Sequence, residues 1–171
     1  MLPPGDRPTD AGVQFQTRTA DEQSFSLYAR LAASFRRGAI AELLENTTRL
    51  LLIAIGEEAL RNLLDRYISV TPPAAFPTDE ALRFRRFMDA NPTPVPGLEE
   101  MLKFEAALIE AAANGLTVEV TIAKDIETML TDIAAGRLPG PSSDWPATVV
   151  EIGVVPTPFV RVLERNHAIG R

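Results

Sequence analysis

Glu99, Glu100, Glu105 and Glu110 fall at helical spacing within Leu98–Ala113, LEEMLKFEAALIEAAA. Carboxylates gathered on one helix could hold a hard cation or move protons, but the same pattern describes an ordinary solvated face. Glu105 stands apart from the other three. It falls inside the stripe formed by Leu98, Met101, Leu102, Leu108, Ile109 and Ala112, where an apolar residue is expected. Either this carboxylate has a partner, most simply an arginine, or the stripe is turned half a turn and Phe104 points inward.

Other chemistry is sparse. His167 is the sole histidine and lies near the C-terminus, and there is no cysteine. A triad headed by His167 would need the tail to fold back, while thiol nucleophiles, disulfides and sites built from several imidazoles are excluded. Neither G-x-x-x-x-G-K-[ST] nor G-x-G-x-x-G occurs. Trp145, between Asp144 and Pro146, reads as a ring anchoring a loop on the core or stacking on a ligand. Arg83, Arg85 and Arg86 form the densest basic group, joined by Arg36 and Arg37 if their helices are neighbours. They suit either a solvated face with one arginine turned inward or an anchor for a carboxylate-rich partner.

The elements that must position these residues follow from periodicity. Pro3, Pro4, Gly5, Pro8 and Gly12 predict a flexible arm over residues 1–22. Ser24 caps an expected first helix to about Arg37, with Phe25, Leu27, Tyr28, Leu31, Ala32 and Phe35 facing the core; Gly38 interrupts it. A second helix runs from about Ala39 to Ile55. After Gly56, a third presents Leu60, Leu63, Leu64 and Tyr67 and ends before Pro72-Pro73. Thr78 is the expected cap of a fourth helix carrying Phe84, Phe87 and Met88, and three prolines stiffen the loop Asn91–Gly97.

Beyond Asn114-Gly115 the period changes from about 3.6 to 2. Val118, Val120 and Ile122 alternate with Thr117, Glu119 and Thr121 in a first strand. Asp125 caps a short helix, a second strand lies within Ala147–Val155, and Phe159–Leu163 is a third strand or a docking tail. The expected class is therefore α+β: a helical domain of about five helices over residues 23–115, then a small α/β unit over 116–171 with two to three strands and one helix.

With 171 residues and a net charge of −6, the chain suits one substantial core and disfavours a broad phosphate-binding surface. Leu50–Ile55 is too short an apolar run to span a bilayer, and the N-terminus lacks a signal-peptide pattern, so the expected location is cytoplasmic.

The order of segments resembles a known family. IGEEALRNLLDRYISVTPPAAFPTDEALRFRRFM followed by PGLEEMLKFEAALIEAAANG is similar to the helical domain of the partner proteins that accompany multinuclear non-haem iron-dependent oxidative enzymes in ribosomal-peptide biosynthesis, the methanobactin partner subunit and HvfC/BufC-type proteins among them. The resemblance rests on Leu63, Leu64 and Tyr67, on Pro72, Pro73, Phe76 and Pro77, on Phe84 and Phe87, and on Leu98, Leu102 and Glu105. It extends to VEVTIAKDIETMLTDIAAGRLP and TVVEIGV downstream.

That likeness implies a non-catalytic accessory subunit with no cofactor of its own, forming a heterodimer with an oxidase that carries the iron. Such a subunit binds the precursor's leader peptide, often by strand addition. The edge of the first strand (Thr117, Val118, Glu119, Val120, Thr121, Ile122) or of the second (Val149, Val150, Glu151, Ile152) would hold the leader. Pro72, Pro73, Phe76, Arg83, Arg86 and Trp145 would meet the enzyme. Glu105 and Tyr67 would be structural, Glu105 as a buried or half-buried carboxylate paired with an arginine. A DNA-binding regulator using Arg83, Arg85 and Arg86, or a small enzyme using helical carboxylates, are the readings from other classes.

Overall fold

A computed structural model describes residues 10–123, 125–140, 148–153 and 158–163, with side chains from Phe25 onward. Five helices and a small antiparallel sheet follow in the order α1 (Asp10–Leu43), α2 (Glu45–Val70), α3 (Pro77–Ala90), α4 (Leu98–Asn114), β1 (Val118–Ile122), α5 (Ile126–Ala134), β2 (Thr148–Gly153) and β3 (Phe159–Leu163). The class is α+β, as the change of period predicts. The chain divides into two compact units, Met1–Phe35 and Arg36–Arg171.

In the smaller unit, α1 begins at Asp10, inside the stretch expected to be an arm, and no break occurs at Ser24. Phe25, Leu27, Tyr28, Leu31 and Phe35, expected to face a core, are between 57% and 77% exposed. The helix passes through Gly38 uninterrupted. A mid-helix glycine costs about 1 kcal/mol relative to alanine, and burial of the neighbouring Ala39 and Ile40 in the larger unit outweighs that.

The larger unit is built on α4. Leu98, Met101, Leu102, Phe104, Ala106, Ala107, Ile109 and Ala111 are all buried, so α4 is enclosed around most of its circumference rather than along one stripe. The question of whether Phe104 or Glu105 points inward therefore resolves as both. One side of α4 meets Leu50, Leu51, Leu60, Leu63, Leu64, Tyr67, Ala81, Phe84 and Met88 from α2 and α3; sheet residues Ile122, Val150 and Ile152 complete the same core.

Gly56 divides α2. Its φ of 81° and ψ of 168° lie in a region open essentially to glycine, and the kink separates the two helices expected on either side of it. With the halves of α2 taken separately, five helical segments precede the sheet. In α3 the N-cap position is Phe76 with Pro77 at the first turn, so Thr78 does not cap it. Asp125 does cap α5, its side chain accepting the Glu127 N–H at 3.0 Å.

Candidate functional site

The sheet has the order β1-β2-β3 with both pairings antiparallel. This corrects one expectation. β2 is the central strand, its backbone paired on both sides, so Val149, Val150, Glu151 and Ile152 cannot offer an edge to a peptide. Among the described residues, the open edges belong to β1 and β3.

Those two edges differ in what stands beside them. Alternation puts Val118, Val120 and Ile122 of β1 on the face covered by α4, together with Val150 and Ile152 of β2. On β3, Val162 lies opposite Val150 and Val160 opposite Ile152, on that same face. Yet Val150 and Ile152 are fully buried, whereas Val160 and Val162 are 49% and 41% exposed. The apolar cover thus stops at β2, leaving β3 with two uncovered valines beside an open edge.

The opposite face carries charge. Glu119, Glu151 and Arg161 form a row across the three strands, Glu119 directly opposite Glu151 and Glu151 opposite Arg161. Arg161 Nη1 stands 3.7 Å from Glu151 Oε2 and relieves the like-charge pair. Its guanidinium also sits 5.7 Å from the centroid of the Phe159 ring. Phe159 in turn lies across Gly153, where a Cβ would come within 2.6 Å of Phe159 Cζ. Only glycine leaves room for that ring, and nothing in the alternation pattern of ATVVEIGVV singles the position out.

Glu105 is buried, as expected, but its partner is not an arginine. Oε1 accepts the Asn46 backbone N–H at 2.7 Å and the Asn46 side-chain amide at 3.1 Å; Oε2 accepts the Thr47 N–H at 2.9 Å. The carboxylate caps the start of α2 from another helix and meets its positive dipole end. Burial pushes its pKa above the ordinary carboxylate value, and the donors of Thr47 and Asn46 pull it only part of the way back.

The buried acid–arginine pair involves Glu80 instead. Arg36 Nε donates to Glu80 Oε1 at 2.7 Å, Tyr67 OH donates to the same oxygen at 2.7 Å, and Oε2 accepts the Ala74 N–H at 2.9 Å. Arg36 also donates from Nη1 to Ile68 O at 3.2 Å and lies 5.1 Å from the Tyr67 ring centroid. Burial alone would push Glu80 upward; the Ala74 N–H, the Tyr67 hydroxyl and the Arg36 guanidinium outweigh it and hold the carboxyl below its ordinary value. Burial, then the bond to Glu80, pushes the Tyr67 phenol up to about 12.

The residues expected to meet an enzyme are partly committed within the chain. Arg83 Nη1 donates to Pro72 O at 3.0 Å and Pro73 O at 3.2 Å, bracing the loop in which Phe76 is exposed. Arg85 stands 3.6 Å from Asp89, and Arg37 pairs with Asp65, so Arg86 is the exposed member of the basic group. Trp145 and His167 lie outside the described residues. A concavity of about 700 Å³ opens where the C-terminal end of α3, the Pro92–Pro96 loop and the start of α4 meet, floored by Met88, Leu98 and Leu102. On its rim Lys103 is paired with Glu99 at 2.7 Å.

Among the described residues no helix is long and apolar enough to cross a membrane. Comparison with protein-family models, with curated proteins and with solved structures finds no match to this chain.

Proposed function

We propose that this chain is a non-catalytic peptide-recognition subunit that receives the leader of a ribosomally made precursor and presents its core to an iron-dependent oxidase bound alongside. The observation that carries the reading is the state of β3: among the described residues it has an open backbone edge, with Val160 and Val162 exposed on the face where Ile122, Val150 and Ile152 are buried. An extended segment added beside β3 would pair its backbone with the strand and lay alternate apolar side chains against those valines. The site offers main-chain hydrogen bonds and apolar cover, which suit recognition rather than bond breaking.

Further support comes from the arginines. With Arg83 bound to the Pro72 and Pro73 carbonyls and Arg37 to Asp65, little of the basic group is left to face a phosphate backbone. The oxidase, which would hold the iron, is placed by this reading at the Pro72–Pro77 or Pro92–Gly97 loops.

Calorimetry of the full chain with the leader of any precursor peptide encoded in its gene neighbourhood, and co-purification with any iron-dependent oxidase encoded there, test the proposal. Binding should be lost in Val160→Lys/Val162→Lys and kept in Thr121→Lys, which alters the opposite face of β1. Failure of wild-type protein to bind both leader and oxidase would overturn it.

A further inference from the structure

The smaller unit carries a feature that peptide recognition does not use. On α1, Phe25, Leu27, Tyr28, Leu31 and Phe35 advance at about 100° per residue into one continuous arc, whose midpoint lies close to Phe35 and Tyr28. Ser26, Arg30 and Arg37 fall on the opposite side. The arc is aromatic-rich, and its five large side chains are 77%, 59%, 73%, 57% and 62% exposed in chain order. An aromatic side chain carries roughly 150–250 Å² of surface. At these exposures, three aromatics and two leucines leave on the order of 500–600 Å² of apolar surface in one patch, at the upper end of what a soluble monomer shows to water.

We infer that this arc is the interface of a homodimer, covered by the same arc of a second copy. The area is what a dimer needs: two such patches facing each other remove up to about 1,000–1,200 Å² from water, which meets the lower limit for a specific protein interface. One helix stripe against itself is also self-complementary under a two-fold axis, as an isologous contact requires. Its ring-bearing residues are of the kind that dominate interface energetics. The inference does not depend on peptide binding, since Phe25–Phe35 lies wholly within the smaller unit and the sheet within the larger.

Sedimentation of the full chain alone, from about 1 to 100 μM, tests the inference. The expected result is a species of twice the 18.6 kDa chain mass. Leu31→Glu/Phe35→Glu should convert it to monomer, while Ser26→Glu, on the far side of the helix, should leave the dimer intact. Because two acidic residues could unwind an unpaired helix, Tyr28→Gln serves as a milder variant and should raise the dimer dissociation constant at least tenfold with helical circular dichroism retained. A monomeric wild type at 100 μM, or a dimer indifferent to both Leu31→Glu/Phe35→Glu and Tyr28→Gln, would overturn the inference. Retention of leader binding by the monomeric variant would separate this interface from the peptide site.

Discussion

The carboxylate of Glu105 on α4 reaches the Thr47 backbone N–H, 58 residues earlier in the chain, at 2.9 Å. One side chain therefore does for α2 what a local capping residue does elsewhere, and at the same time fixes α2 against the central helix. Glu105→Ala leaves the buried Thr47 N–H and the half-buried Asn46 N–H without their acceptor. An orphaned buried donor costs about 1–3 kcal/mol, so the variant should lose roughly 2–4 kcal/mol in chemical denaturation. Glu105→Gln keeps one acceptor and should lose about half as much. An unchanged denaturation midpoint for both variants would show that the cap contributes nothing.

Glu80 and Glu105 should divide the pH dependence of stability between them, with opposite signs. Glu80 is held below its ordinary value of 4.5 in the folded chain, so its contribution is present above that value and lost as pH falls through the depressed one. Glu105 is raised, so its contribution is present below 4.5 and lost as pH rises through the folded value. Denaturation measured from pH 3 to 8 should accordingly lose part of its acid limb in Glu80→Gln and become flatter above 4.5 in Glu105→Gln. Parallel profiles for both variants and wild type would refute this assignment.

The Arg36–Glu80 pair should behave as a buried pair and not as a surface one, with exposures of 6% and 2%. Removing Glu80 alone strands the guanidinium, at about 3–5 kcal/mol. Replacing both, as Arg36→Met/Glu80→Met, removes the stranded charge and should cost clearly less than Glu80→Ala. A double variant as damaging as the single one would mean that the hydrogen bonds to Tyr67, Ala74 and Ile68 outweigh the charge pairing.

The local signals were legible in the sequence and the long-range pairings were not. Asp125 announces itself as a cap three residues before Thr128, whose hydroxyl it accepts at 2.6 Å. The change of period after Gly115 likewise lies wholly within a dozen residues. Glu105, by contrast, was recognisable as a buried carboxylate from its place in an apolar stripe, but its donors belong to a helix start far away in sequence, and arginine was the expected partner. The arginine that is buried, Arg36, found Glu80, 44 residues away. The central position of β2 escaped for a similar reason: strand order depends on which edges pair, and alternation reports faces only. In α1 the stripe was legible but not its exposure, because period 3.6 marks an apolar face without naming what covers it.

Gly153 should be intolerant of even one methyl group. Alanine there must displace the Phe159 ring, and overpacking of this kind costs about 1–3 kcal/mol. The damage should concentrate on β3, so that Gly153→Ala shows faster amide exchange over residues 159–163 than over β1. Phe159→Leu, which trims the ring, should recover most of the loss in Gly153→Ala/Phe159→Leu. Equal losses in the single and double variants would place the strain elsewhere.

The charged row across the sheet predicts the preference of the strand that β3 would accept. Arg161 ends the row Glu119–Glu151–Arg161, and a residue opposite it on an added strand would lie on its free side. An acidic residue there gives Arg161 a second opposite charge, whereas a basic one meets a like charge; cross-strand pairs of this kind differ by about 0.2–1 kcal/mol. A leader carrying Asp or Glu at that register should therefore bind up to about fivefold more tightly than the same peptide with Lys. Arg161→Glu should reverse the order, and the difference should shrink as salt is raised, because the pair is exposed to solvent. Were the preference to follow Glu119→Lys and ignore Arg161→Glu, the added strand would lie along β1, and the uncovered valines of β3 would not be its seat.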